Sequence, residues 1–82
     1  MFNPAADLPV LVQVLRGIHR DHALEIRLRA PDLLMPFDRE DMLELIGNLA
    51  DNACKWARSQ VELSVAQADG GCAIVVGDDG PG

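Results

Sequence analysis

Five polar residues recur at helical spacing in the middle of the chain: Glu44, Asn48, Asp51, Asn52 and Lys55. At about 100° per residue, all of them fall within about 60° of Asn48 around a helix axis. Asparagine and glycine are weak helix formers, so Gly47, Asn48 and Asn52 together cost about 1 to 2 kcal/mol relative to alanine. Such a stripe is commonly just a solvated helix face, but that face would more often carry Glu, Lys or Gln.

The residue types of this stripe suit a metal-bound polyphosphate. An asparagine amide oxygen is a neutral, hard ligand for Mg²⁺, and its NH₂ group can donate hydrogen bonds to phosphate oxygens. Lys55 adds a positive charge about 10 Å along the helix from Asn48. This separation matches the length of a triphosphate.

A second group of candidate residues closes the sequence: Asp78-Asp79-Gly80-Pro81-Gly82, which has the pattern D-x-G-x-G. It follows an apolar run, at the end of a strand where ligands bind in α/β sheets. A carboxylate there can accept a hydrogen bond from an exocyclic amino group, and glycines let the backbone approach a flat base. A plain Gly/Pro loop after a strand is the alternative interpretation.

The elements that must position these groups follow from hydrophobic periodicity. Asp7 could cap a helix over 8–22 whose apolar side carries Leu8, Leu11, Val12, Leu15 and Ile18, although Val10, Val12 and Val14 also alternate as in a strand. Clean alternation over 24–30 predicts a strand. Residues 33–37 could form a short edge strand, because Pro36 cannot donate to a ladder.

Asp38 is a predicted N-cap for the long helix over 39–57. Its core-facing arc is predicted to hold eight residues: Leu43, Leu45, Ile46, Leu49, Ala50, Ala53, Trp56 and Ala57. A strand over 61–65, a tight turn at 69–71 and an apolar strand over 72–76, covered on both faces, complete the pattern. The order predicts an α+β fold, a two-layer α/β sandwich with helices on one face of a mixed sheet.

Size and composition limit the function classes. A chain of 82 residues forms at most one small domain, and its net charge of −6 argues against nucleic-acid binding. No apolar run reaches the roughly 20 residues that span a bilayer. Cys54 and Cys72 have no metal-ligand spacing, which favours reduced, buried thiols in a cytosolic setting, with a disulfide as the minor alternative.

The helix pattern N-x-x-x-N-A-x-K, followed about two dozen residues later by D-x-G-x-G, resembles two signatures of two-component sensor histidine kinases. They are the N box, residues 44–55, and the first glycine box, residues 78–82, most similar to the PhoQ-like branch. The resemblance implies the Bergerat-type ATPase fold shared with gyrase-type topoisomerases, the heat-shock chaperone ATPase and mismatch-repair ATPases. The N-terminal part of such an ATP-binding domain is the expected identity of residues 1–82.

The resemblance also implies roles for individual residues. Asn52 would coordinate Mg²⁺, and Asn48 and Lys55 would contact the phosphates of ATP. Asp78 would bind the adenine amino group, with Gly80 and Gly82 shaping the pocket. Glu44 matches an acidic catalytic position proposed to polarise the attacking group.

The implied partners are a dimerisation domain that carries the phosphoacceptor histidine and a response regulator, in a kinase anchored in the bacterial inner membrane with this domain in the cytoplasm. His19 and His22 lack the H-[ED]-x-x-x-P context of an acceptor, so both are expected on the surface near a helix end. The lid, second glycine box and phenylalanine box of these kinases are not found in the sequence, so we expect the chain alone to bind nucleotide weakly and to self-associate. A non-enzymatic interaction or dimerisation module and a serine-directed kinase of the anti-sigma type remain alternatives.

Overall fold

Two helices and three strands make up the chain, for which a computed structural model describes residues 1–80; Pro81 and Gly82 lie outside the described residues. The elements are, in order, α1 (Pro4–Ile18), β1 (Glu25–Arg29), α2 (Arg39–Trp56), β2 (Gln60–Ala68) and β3 (Gly71–Asp78). The strands form one sheet in the order β1-β2-β3. The β1 and β2 strands pair parallel, and β2 and β3 pair antiparallel. With both helices on one face of this mixed sheet, the predicted α+β architecture is confirmed.

Helix α1 begins four residues earlier than predicted, so the assignment of Asp7 as its N-cap is wrong. Asn3 is the N-cap, and its side-chain oxygen accepts hydrogen bonds from the backbone N–H groups of Ala5 and Ala6. Asp7 completes the cap by accepting from the Asn3 N–H at 2.9 Å. Two N–H groups of the first helical turn, which have no partner one turn earlier in the helix, and the N–H of Asn3 itself are thereby hydrogen-bonded. The helix ends at Ile18, not at 22, and Ile18 itself is exposed.

Helix α2 has the predicted cap and nearly the predicted length. The Asp38 side chain accepts from the Asp41 N–H at 3.0 Å, and the helix ends at Trp56. Its core face carries Met42, Ile46, Ala50, Ala53 and Cys54. The prediction that Leu45, Leu49 and Trp56 lie on the core arc is wrong, because all three side chains are exposed.

The sheet places Asp78 beside the start of β2. A tight turn with Gly70 at φ 75° joins β2 to β3, and the register then pairs Val61 with Asp78. Only glycine adopts this left-handed conformation without strain. The prediction that 72–76 is covered on both faces is wrong, because β3 is an edge strand and Val75 is 62% exposed. The segment 33–37 contributes one isolated bridge, between Met35 and Phe2, instead of a strand.

Two contiguous clusters of buried side chains form the core between helices and sheet. One contains Val12, Leu15, Ile26, Ala50, Ala53, Cys54, Ala57 and Val61. The other contains Phe2, Leu8, Met35, Met42, Ile46, Leu63 and Val65. Both thiols are free, with Cys54 buried and Cys72 half-buried, and burial raises the pKa of the Cys54 thiol. Within residues 1–80, no helix is long and apolar enough to span a membrane.

Candidate functional site

The exposed face of α2 carries the predicted polar stripe. Glu44, Asn48, Asn52 and Lys55 are all exposed, on the side of the helix opposite Ile46 and Ala50. These side chains follow one another at about one helical turn, which spaces them about 5 Å apart along the axis. The arrangement is an open row of amide, carboxylate and ammonium groups along a rigid helix.

A cleft beside this stripe brings Asn52 and Asp78 together. It has a volume of about 260 Å³ and lies between the last turns of α2 and the end of β3. Its lining is otherwise apolar: Leu49, Ala53, Trp56 and Val76. Polar groups beside apolar side chains are the kind of lining that orients a small molecule in a binding site. The volume suits part of a nucleotide, such as its base, with the remainder along the exposed stripe.

Among the side chains that were wrongly predicted to lie on the core face of α2, Trp56 has the largest consequence for the candidate site. Its side chain is 69% exposed and lines the cleft together with Asp78. On a helical wheel Trp56 lies about 80° from Asn48, nearer the asparagine stripe than the centre of the core face. This angle was the available signal, but large apolar side chains are normally assigned to the core. An exposed indole face beside a carboxylate can stack on a flat base.

The backbone at Gly80 packs closely against the end of α2. A Cβ atom at position 80 would collide with the Trp56 carbonyl oxygen and would lie 2.7 Å from Oδ1 of Asp78. The Gly80 N–H donates to that same Oδ1 at 2.8 Å, so the loop folds back on the aspartate. One carboxylate oxygen of Asp78 is thus committed to the loop, and the other can accept from a ligand. Gly82 was predicted to shape the pocket and lies outside the described residues.

Asp79, which was not among the predicted site residues, fixes the loop that carries Asp78. Its carboxylate accepts from the Ser59 hydroxyl at 2.6 Å and from the backbone N–H groups of Arg58, Ser59 and Gln60. These bonds, first the one from the Ser59 hydroxyl, hold the pKa of Asp79 well below its usual range. The D-D sequence showed no signal that would separate an anchoring aspartate from a ligand-facing one.

A hydrogen-bonded pair between the helices lies on the other flank of the stripe. His19 Nε2 is 2.7 Å from Oδ1 of Asp51, and Lys55 Nζ is 3.4 Å from Oδ2 of the same carboxylate. The hydrogen bond with His19 lowers the pKa of Asp51, and Lys55 contributes in the same direction. His19 was expected on the surface, but its side chain is only 13% exposed because this contact seats it against α2.

The residues present fit a Mg²⁺ ion that is bound together with a polyphosphate. In residues 1–80 no group of three or more His, Cys, Asp or Glu side chains could hold a metal by itself. Mg²⁺ commonly takes one or two protein ligands and completes its shell with waters and phosphate oxygens. The exposed amide of Asn52, at the junction of the stripe and the cleft, is suited to supply one such ligand.

Similar proteins were found among sensor kinases. The chain is 52% identical over 81 residues to the sensor protein kinase CarS of Pseudomonas aeruginosa, a match that covers 99% of this chain and 18% of that protein. It is 37% identical over 73 residues to the sensor protein PhoQ of Escherichia coli, covering 88% of this chain and 15% of PhoQ. The virulence sensor histidine kinase PhoQ of Salmonella typhimurium is 34% identical over the same length. No protein-family model matches the chain.

The chain spans less than a fifth of the length of these relatives, and the matches cover nearly all of it. Both signatures identified in the sequence, the stripe of α2 and the aspartate at the end of β3, fall within the aligned length of the CarS match. The chain is therefore homologous to one segment of sensor histidine kinases.

Proposed function

We propose that the chain is the part of a sensor histidine kinase that binds ATP with Mg²⁺, in the cleft between α2 and the end of β3. The observation that carries the proposal is the convergence of Asn52 and Asp78 on one cleft beside an exposed tryptophan. The aspartate and the indole suit an adenine base. The asparagines and Lys55 suit the phosphates that extend from it.

The proposed roles follow from the chemistry of each side chain. The free carboxylate oxygen of Asp78 accepts from the adenine amino group, and Trp56 covers one face of the base. Asn52 holds Mg²⁺, which neutralises phosphate charge when bound, and Asn48 and Lys55 donate to phosphate oxygens. Glu44, on the turn before Asn48, orients the attacking group by accepting its proton.

The whole kinase supplies the rest of the proposed reaction. The phosphate acceptor is a histidine on a separate dimerisation domain, the phosphoryl group then passes to a response regulator, and the kinase is anchored in the inner membrane with this segment in the cytoplasm. Phosphoryl transfer depends mainly on positioning and charge neutralisation, which a row of neutral and cationic donors on a rigid helix provides.

Calorimetric titration with a non-hydrolysable ATP analogue and Mg²⁺ tests the proposal. The measurement is made on this chain and on a chimera in which it replaces the matching 81 residues of CarS, a substitution that 52% identity makes practicable. We expect weak binding by the chain, stronger binding by the chimera, and loss of at least tenfold in affinity in Asn52→Ala and Asp78→Ala. Autophosphorylation of the chimera, absent in both variants, would support the kinase role.

Glu62→Gln, a change at an exposed position of β2 on the opposite face of the sheet, is the matched control and should leave affinity unchanged. No binding by either protein would contradict the proposal and leave a non-enzymatic interaction module.

A further inference from the structure

The only lysine of the chain, Lys55, already has a partner. Its Nζ lies 3.4 Å from Oδ2 of Asp51, one turn earlier on α2. The other oxygen of that carboxylate, Oδ1, accepts a hydrogen bond from Nε2 of His19 at 2.7 Å. Asp51 thus lies between a residue that follows α1 and the lysine that the proposed function assigns to the phosphates.

The position of Asp51 directs Lys55 away from the cleft. Around the axis of α2, Asp51 lies about 60° from Asn48 on one side, whereas Asn52 and Trp56 lie about 40° and 80° on the other. A lysine side chain that reaches Asp51 is therefore turned from the cleft, and the carboxylate neutralises its charge. Lys55 remains 60% exposed, so its side chain is free to change direction.

His19 gives the carboxylate a partner that does not depend on Lys55. Its imidazole is largely buried, and its backbone is fixed as the C-cap of α1 by the bond from its N–H to the Leu15 carbonyl oxygen at 3.0 Å. Exposed pairs of the i,i+4 type are weak, so Lys55 can leave Asp51 at little cost. The carboxylate would then keep a hydrogen-bond donor instead of being left half-buried and unpaired.

We infer that the Asp51 carboxylate pairs with Lys55 while no nucleotide is bound. His19 is the positioning residue that keeps Asp51 hydrogen-bonded when Lys55 turns to the phosphates of a bound nucleotide. This inference rests on the proposed function and adds an exchange of partners to it. Neither His19 nor Asp51 touches the nucleotide. Each acts through Lys55, and their substitution therefore has opposite effects.

Nucleotide titrations of Asp51→Asn and His19→Ala, each also made with Lys55→Gln, test the exchange at one fixed pH with ATP and Mg²⁺. Asp51→Asn should raise affinity about twofold, the size of an exposed i,i+4 pair, because Lys55 starts free. His19→Ala should lower affinity about twofold, because Asp51 then depends on Lys55. Both effects should disappear with Lys55→Gln.

The direction of each change in affinity separates the exchange of partners from simpler effects of the same substitutions. A purely structural link between the helices would weaken binding in both single variants. A general effect of removing one negative charge would raise affinity in Asp51→Asn even with Lys55→Gln. Either pattern overturns the inference.

Acetylation by acetic anhydride gives a readout without nucleotide. Because the chain has one lysine, mass spectrometry can compare Lys55 directly with the N-terminal amine. Labelling of Lys55 should rise in Asp51→Asn and fall in His19→Ala, and equal labelling in all three proteins would overturn the inference. Nucleotide binding that depends on Asn52 and Asp78 but ignores His19 and Asp51 would overturn this inference alone, whereas no binding at all would overturn the proposed function.

Discussion

Adjacent aspartates at the end of β3 have different environments. Asp79 is saturated with hydrogen bonds from Arg58, Ser59 and Gln60 at the start of β2. Asp78 faces the cleft and gives one oxygen to the Gly80 N–H. The loop is therefore anchored by the Asp79 carboxylate, and the Asp78 carboxylate is the one that the proposed function assigns to the nucleotide.

Replacing Asp79 with alanine should lower the stability of the chain in a pH-dependent manner. The pKa of Asp79 is lower in the folded chain than in the unfolded chain, so its contribution is fully present above about pH 4, the ordinary pKa of an aspartate. That contribution is lost as pH falls toward the folded-state value. Urea unfolding from pH 7 to pH 2 should show a lower midpoint for Asp79→Ala at neutral pH and a difference that shrinks with acid. Glu62→Gln is the control, and a constant difference at all pH values would contradict this account.

Gly80→Ala should weaken nucleotide binding more than it weakens the fold. A Cβ atom at this position meets backbone atoms of Trp56, which cannot move as a side-chain tip could, so the loop must shift and move Asp78. We expect at least a tenfold loss of ATP affinity in the chimera and a small change in the thermal midpoint. Gly71→Ala, where a Cβ meets nothing within 4 Å, is the matched control. Equal affinity in both variants would show that the loop tolerates the shift.

The candidate site residues that sequence could identify were those with a distinctive residue type at a distinctive spacing. Asn48, Asn52 and Asp78 met that condition, and the structure brings Asn52 and Asp78 to one cleft. Trp56 did not, because a large apolar residue outside the polar stripe of a helix is assigned to the core-facing arc. The contact between His19 and Asp51 joins residues 32 apart and depends on how two helices pack, which local periodicity does not contain.

At the level of elements, Gly47 lies where α2 faces α1. A Cβ atom there would stand 3.4 Å from Cδ1 of Leu11, an ordinary contact with a flexible side chain. Gly47→Ala should therefore stabilise the chain by about 0.5 to 1 kcal/mol through helix propensity. Gly17→Ala in α1, with nothing within 4 Å, reports the propensity gain alone. Urea unfolding of both variants compares their free energies of unfolding. A lower stability of Gly47→Ala together with a higher stability of Gly17→Ala would mean that the packing of α2 against α1 requires glycine at position 47.

Element types were more predictable than element ends. Alternation identified β1 and β2, and the cap at Asp38 identified the start of α2. The start of α1 was missed because Asn3, Pro4 and Asp7 are all favourable near a helix N-terminus, and only the hydrogen bonds show that Asn3 is the cap. The apolar composition of β3 suggested burial on both faces, but burial depends on what lies beside the strand.

For the molecule as a whole, the two edge strands of the sheet differ in how well they are protected against pairing with another chain. β1 presents Glu25, Arg27 and Arg29, whereas β3 carries no charged side chain from Gly71 to Gly77. Charges on an edge strand discourage pairing with another chain. We therefore expect self-association of this chain through β3, detectable as mass that rises with concentration in light scattering.

Val75→Lys should shift that self-association to at least tenfold higher concentration, because it places a charge on the exposed centre of β3. Ser64→Lys on β2, where the strand pairs with Arg29 of β1 on one side and with Val75 of β3 on the other, is the control. A monomer of constant mass at every concentration would contradict the expected self-association.

The mixed sheet also has a consequence for how the chain acquires its structure. Ala68 pairs with Gly71 across a tight turn, whereas Glu25 pairs with Gln60 only after the whole of α2 has been placed. Closing the longer loop costs more chain entropy, so contacts between β2 and β3 should form ahead of the parallel contacts with β1. In native-state hydrogen exchange, the amide hydrogen bonds between β1 and β2 should open at a lower free energy than those between β2 and β3. We therefore expect the strand end that carries Asp78 to belong to the part of the fold that forms first and opens last, and β1 to be the last strand to pair and the first to separate.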